Sequence, residues 1–168
     1  MSELKHLITA EEIPDRTVAQ PNADLHKLSL AIPLAERKHL KKLLGPALFA
    51  ELLLSVQTAT TDDEPLARLA NLDELKDMLC QWALVEAWPN LQVHVAEAGI
   101  VVKNGKEVST SADEKLAQKT LDSHISTANF YSSELTAWMV EHKADYPSYA
   151  PPLAAALSTM PVGGIDLD

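Results

Sequence analysis

The sequence has one cysteine, five glycines, few aromatic residues and no long apolar run. A single cysteine, Cys80, excludes an internal disulfide framework. The scattered glycines form neither of the glycine-rich loops that bind dinucleotides or nucleotide phosphates. No segment reaches the roughly 18 apolar residues of a membrane span, and the start at Met1–His6 lacks the apolar core of a signal peptide. These absences predict a cytoplasmic protein with no membrane-spanning segment.

Basic residues are also scarce, with 14 lysines and arginines against 24 acids and a formal net charge of −10. This balance argues against general affinity for nucleic acids, which requires a basic footprint. It is compatible with a protein that surrounds DNA without gripping it. The 168 residues are 46% hydrophobic, which is enough for one domain with a core that needs no disulfide or metal.

Apolar residues recur at helical spacing through most of the chain. The pattern predicts helices over roughly 23–44 and 46–56, and a long helix capped by Asn71 or Asp73 that ends near residue 88. A second long helix runs from about 110 to 142. Pro33 is expected to kink the first helix or split it at Ile32, because proline lacks an N–H group and restricts the residue before it.

Between the two long helices, Asn104-Gly105 lies between Ile100–Val102 and Val108. Asn-Gly is the preferred pair for a two-residue type I′ turn, so residues 99–109 predict a β-hairpin. The expected fold is therefore mainly α, a helical bundle with one small β-hairpin between two long helices. An isolated hairpin is marginal in water, which makes these residues candidates for a subunit interface: Ile100, Val101, Val102, Asn104, Gly105 and Val108.

The composition divides the chain into three regions. Residues 1–22 predict an N-terminal arm, 23–146 the bundle domain, and 147–168 a proline-rich C-terminal tail. An arm of this kind is ordered only where something docks it, and a neighbouring subunit is one such surface. Tyr146 and Tyr149, at the start of the tail, are further candidates for an interface.

The sequence contains parts of two motifs for metal binding or catalysis, but neither motif is complete. Glu36-x-x-His39 is half of a helical di-iron motif, but no second Glu-x-x-His occurs. Asp122-Ser123-His124 contains the residue types of a catalytic triad, but consecutive side chains on a helix point about 100° apart and cannot form a relay. We therefore expect no enzyme activity, no metal and no cofactor, and interpret Cys80 and His124 as packed side chains.

Two charge clusters stand out. Asp62-Asp63-Glu64 lacks the alternating ligands and the glycine of an EF-hand loop, and acids before a helix account for it. The one basic cluster lies near the end of a predicted helix, where the helix dipole favours cations. An acidic partner surface is the alternative interpretation of this cluster, which consists of Arg37, Lys38, Lys41 and Lys42.

Several motifs in a fixed order resemble a family of small helical proteins of unassigned function from prophage structural operons. The likeness covers roughly residues 8–149. The motifs are Ile8-Thr9-Ala10-Glu11-Glu12-Ile13, Leu43-Leu44-Gly45-Pro46-Ala47-Leu48-Phe49-Ala50-Glu51-Leu52, Trp88-Pro89-Asn90-Leu91, Glu97-Ala98-Gly99-Ile100 and Tyr146-Pro147-Ser148-Tyr149. The sequence departs from the pattern at Pro33 and in its long tail.

The organisation is also similar to the head–tail connector, or adaptor, proteins of tailed phages. That resemblance implies a homo-oligomeric ring on the portal, with DNA passing through the channel without sequence-specific binding. It implies portal, tail or neck proteins as partners, and a place in the virion neck after assembly in the bacterial cytoplasm. The alternative is a small soluble helical module that binds or regulates other proteins without catalysis.

Overall fold

The computed structural model describes residues 5–17, 24–58, 64–91, 93–96, 99–102 and 110–151. This part of the chain is mainly helical, as the sequence predicts. The helices are α1 Glu12–Arg16, α2 Leu25–Ala35, α3 Lys41–Leu44, α4 Pro46–Thr58, α5 Pro65–Ala70, α6 Asp73–Leu91 and α7 Thr110–Glu141. A π-helical turn, Glu36–Leu40, joins α2 to α3, and a 3₁₀ turn, Lys143–Asp145, follows α7.

Helix α2 begins at a cap and continues through its proline. The Asp24 carboxylate accepts hydrogen bonds from the backbone N–H groups of His26 and Lys27, 3.1 and 3.3 Å away, which satisfies donors that have no partner inside the helix. Pro33 lies inside α2, so the expected split at Ile32 is wrong. The irregularity comes three residues after the proline, as the π-helical turn, which has one extra residue per turn.

The α3–α4 junction depends on Gly45. Its φ of 83° and ψ of 160° fall in a region that only glycine adopts readily, and it leads directly into Pro46 at the start of α4. A Cβ at this position would also lie 3.2 Å from the Cβ of Ala150. The end of the described chain is thereby packed against the start of α4.

Helix α6 is the centre of the fold, and α1, α2 and α7 all pack on it. Its buried residues point in several directions because it has neighbours on several sides. They include Leu75, Met78, Leu79, Cys80, Ala83, Leu84 and Ala87. None of the helices in the described part has the length and apolar character needed to cross a membrane.

Helix α7 is covered along only part of its length. Its buried residues are His124, Ala128, Leu135 and Met139. None of residues 115–123 is buried, and Leu116 is 64% exposed. At 1.5 Å per residue, residues 115–123 make about 13 Å of helix without a buried side chain.

The predicted hairpin across Asn104-Gly105 is wrong. Strand β2, Gly99–Val102, pairs antiparallel with the preceding segment β1, Val93–Ala96, so that Val93 lies opposite Val102 and Ala96 opposite Gly99. No strand follows Val102 in the described residues, and residues 103–109 lie outside them. The β-branched valines of β1 favour an extended backbone. The helical part of the fold prediction is confirmed, whereas the position of the hairpin is not.

Candidate functional site

The π-helical turn brings the side chains of Glu36 and His39 to different neighbours. Glu36 is 3% exposed, and its carboxylate accepts hydrogen bonds from the backbone N–H of Leu7 and from Nδ1 of His6, both at 3.0 Å. This contact fixes the first described residues of the chain against the bundle. Residues 7 and 8 are buried there, so the N-terminal segment from Lys5 to Thr17 docks on its own subunit.

The side chain of His39, in the same turn, contacts α6. Its ring stacks on Trp82, with centroids 3.6 Å apart and planes inclined by 8°, and its Nε2 lies 2.9 Å from Glu86. Lys38 donates to the same carboxylate at 2.8 Å. Glu36 and His39 therefore have separate partners, and in this arrangement they do not share a metal ion.

The pKa of Glu86 reflects both of its neighbours. Burial raises this pKa, but the hydrogen bonds from Lys38 and His39 outweigh burial and hold it below the ordinary value for glutamate. The carboxylate is therefore charged at neutral pH and keeps the imidazole of His39 in place. Its effect is to fasten the π-helical turn to α6.

A shallow polar groove lies between this turn and α7. One part has a volume of about 200 Å³ and is lined by His39, Lys42, Leu43, Trp82, Asn129, Ser132 and Thr136. A second part of about 390 Å³ continues along α7 past Ser133 and Ala137. The sequence did not predict this groove, because its lining comes from the π-helical turn, α3, α6 and α7. The residue pattern of each element alone does not indicate that these elements lie side by side.

The serine in this groove is not an activated nucleophile. The Ser132 hydroxyl donates to the carbonyl of Ala128 at 2.7 Å and accepts from the indole N–H of Trp82 at 3.0 Å. An activated serine instead donates to a general base. The groove therefore offers hydrogen-bonding groups and the ammonium group of Lys42 to a bound molecule.

The Asp122-Ser123-His124 triplet does not converge. Asp122 is exposed and accepts a hydrogen bond from Gln118 at 2.8 Å. His124 is buried and its ring lies 5.4 Å from that of Trp88. Among the described residues, no three His, Cys, Asp or Glu side chains meet as a metal site requires. Burial also raises the pKa of Cys80 to about 12, so its thiol remains protonated.

His124 predicts a pH dependence of stability. Burial lowers the pKa of His124 in the folded state, whereas the unfolded chain binds that proton near pH 6.5. Stability contributed by the neutral side chain is therefore present above about pH 6.5 and is lost as the pH falls toward the lower folded pKa. We expect His124→Phe to flatten the fall in unfolding free energy between pH 7 and 5, measured by urea denaturation. An unchanged slope would contradict this assignment.

The candidate interface residues have different surroundings. Tyr146 and Tyr149 are buried, with 1% and 4% of their surfaces exposed, and the Tyr146 hydroxyl donates to the carbonyl of Pro65 at 2.8 Å. Their side chains thus pack inside the subunit and present no surface to a neighbour in this conformation. Ile100, Val101 and Val102 belong to β2. The other three candidates, Asn104, Gly105 and Val108, lie outside the described residues.

Comparison with known proteins finds a single family. The model of a family of unknown function, DUF6712, matches residues 40–157, more than two thirds of the chain. The chain belongs to the DUF6712 family. No curated protein and no solved structure matches it. The DUF6712 match begins at the last residue of the π-helical turn and includes α3 to α7, so it contains the groove lining except His39, while α1 and α2 precede it.

Proposed function

We propose that this DUF6712 protein is a structural subunit of a tailed-phage or prophage neck, a head–tail connector that forms a ring on the portal around the DNA channel. Its proposed partners are further copies of itself, the portal, and tail or neck proteins. The resemblance of the motifs in residues 8–149 to prophage structural proteins supports the phage assignment. The shape and charge of the described residues support an assembly role.

The observation that carries the assembly role is the uncovered half of α7. A solvent-exposed helix face usually bears charged and polar residues, with its apolar groups directed to the core. Residues 115–123 are not buried, yet they include Leu116 with 64% of its surface exposed. This part of α7 has no core to cover within the described part of the subunit, and a neighbouring subunit is the surface that would bury it.

The net charge fits a channel protein. A chain with a formal charge of −10 repels the phosphate backbone at long range. DNA would therefore pass the inner surface of such a ring without binding to it. The proposal requires no base-specific contact and no catalytic group.

Replacing Leu116 tests the assembly role. We expect Leu116→Glu to shift the full-length protein from the oligomer to the 18.3 kDa monomer, because a charge in a buried contact has to be desolvated. Light scattering after size-exclusion chromatography, alone and with the portal protein of the encoding phage, gives the mass. Leu54→Glu is the matched control, since Leu54 on α4 is 60% exposed.

The proposal predicts a smaller mass for Leu116→Glu and an unchanged mass for Leu54→Glu. Equal masses for the two variants would mean that the uncovered half of α7 is not part of the interface. A wild-type protein that stays monomeric at high concentration and does not bind the portal would contradict the neck assignment itself.

A further inference from the structure

The helical run from α2 through the π-helical turn to α3 presents an exposed face with leucines and cations but no acid. Leu30 is 63% exposed and Leu34 is 41% exposed. The one acid between residues 25 and 44 is Glu36, which is buried and binds the N-terminal segment. We call this surface the basic face, made of Leu30, Leu34, Arg37, Lys41 and Lys42.

The cations of the basic face are not neutralised inside the described part of the subunit. Arg37, Lys41 and Lys42 are exposed and have no ion pair among the described residues. Some cations elsewhere do have one, such as Arg16 with Asp73 and Asp77 and Lys76 with Glu12. A concentrated positive patch on a chain of charge −10 is a surface to which acidic groups are attracted.

The same chain carries a complementary surface. Glu11 and Asp15, at and next to α1, are exposed, and Glu74 in the first turn of α6 is half-buried. None of the three has an ion pair among the described residues. The bonds from Arg16 to Asp73 and Asp77, 2.9 and 2.7 Å long, hold α1 beside the start of α6. We call Glu11, Asp15 and Glu74 the acidic corner.

The two surfaces are attached to α6 at separate places. The acidic corner is tied to α6 at Asp73 and Asp77, whereas the π-helical turn is tied to it at Glu86. Asp73 and Glu86 are about 20 Å apart along the helix at 1.5 Å per residue. No ion pair joins the two surfaces among the described residues, which leaves each surface free to attract another molecule.

We propose that the basic face binds the acidic corner of a second copy of this chain. Because the two surfaces differ, the contact is heterologous, and successive copies joined in this way form a ring when the rotation closes. The proposal rests on the ring function proposed above and names the charge pairing that holds the ring. The exposed leucines favour a protein over DNA as the occupant, since phosphate offers them no apolar surface.

Charge reversal on each side separately tests the pairing. The face-reversed variant is Arg37→Glu with Lys41→Glu, and the corner-reversed variant is Glu11→Lys with Asp15→Lys. Each variant alone places like charges across the contact, so we expect the association constant to fall at least about tenfold. Sedimentation equilibrium of the full-length proteins in 150 mM salt measures it, and thermal melting checks that both variants fold.

Mixing the two variants is the part of the experiment that tests the pairing most directly. In an equimolar mixture the reversed face meets the reversed corner, and the native face meets the native corner, so alternating copies restore both contacts. We expect the mixture to recover assembly that neither variant shows alone. The matched control for the face-reversed variant is Lys5→Glu with Lys143→Glu, which makes the same change in net charge as that variant at two exposed lysines outside the face and is expected to assemble as the wild type does.

Three results would overturn the pairing. The first is wild-type assembly by either reversed variant, and the second is a mixture that stays dissociated. The third is DNA binding that the face-reversed variant loses while assembly is unchanged, which would assign the face to nucleic acid. In each case a wild-type ring leaves the neck function standing, whereas a wild-type monomer that does not bind the portal removes both proposals.

Discussion

Leu135→Ala is expected to lower the free energy of unfolding by about 2–5 kcal/mol, the usual range for a leucine removed from a packed core. Leu135 is fully buried, in the half of α7 that packs on α6. Leu116→Ala, in the uncovered half of the same helix, is expected to change it by less than about 0.5 kcal/mol. Urea denaturation of the dilute monomer, followed by circular dichroism, gives both values.

The difference in unfolding free energy between these two variants tests which part of α7 is buried by the rest of the subunit. Both substitutions remove the same atoms from the same helix, so helix propensity cancels in the comparison. A large loss of stability at Leu116 in the monomer would mean that the subunit itself buries this half of α7. The uncovered surface on which the assembly role rests would then not exist.

Glu36→Leu is expected to destabilise the fold by about 2–4 kcal/mol, because it leaves the buried N–H of Leu7 without an acceptor and removes the bond to His6. Glu36 makes both contacts at 3.0 Å and has almost no exposed surface. Leucine fills a similar volume, so the loss measures the hydrogen bonds more than a cavity. Hydrogen exchange should show the amide of Leu7 losing protection before the amides of α6.

Glu36→Gln is the control for that substitution. Its amide oxygen still accepts from Leu7, whereas its amide nitrogen, which can only donate, replaces the carboxylate oxygen that faces Nδ1 of His6. We therefore expect a loss clearly smaller than that of Glu36→Leu. Equal losses for the two variants would indicate that the charge, and not the hydrogen bonds, fixes the N-terminal segment.

Local patterns predicted much of the helical part. The long helices expected over about 73–88 and 110–142 are α6, Asp73–Leu91, and α7, Thr110–Glu141. The junction expected between the helices over 23–44 and 46–56 occurs at Gly45 and Pro46, because a positive φ at glycine and a proline in the first turn are both local requirements. The mostly helical character follows from apolar spacing that depends on no distant residue.

The remaining features depend on contacts between segments far apart in sequence. The side chain of Glu36 is occupied by residues 6 and 7, and His39 by Trp82 and Glu86, so the spacing of the Glu-x-x-His pair alone could not show that they part. The hairpin prediction was wrong because an Asn-Gly pair indicates only a local turn, whereas the strand that pairs with Gly99–Val102 is the preceding segment β1. Tyr146 was expected at an interface, and its partner Pro65 lies 81 residues away.

The mass of the assembled wild-type protein is the most direct test of the proposed neck subunit. Native mass spectrometry of the full-length protein, alone and mixed with the portal of the encoding phage, would measure it. The ring proposal predicts one closed species, with a mass that is a whole multiple of 18.3 kDa when free and that multiple added to the mass of the portal when bound. A monomer of 18.3 kDa under both conditions would contradict it.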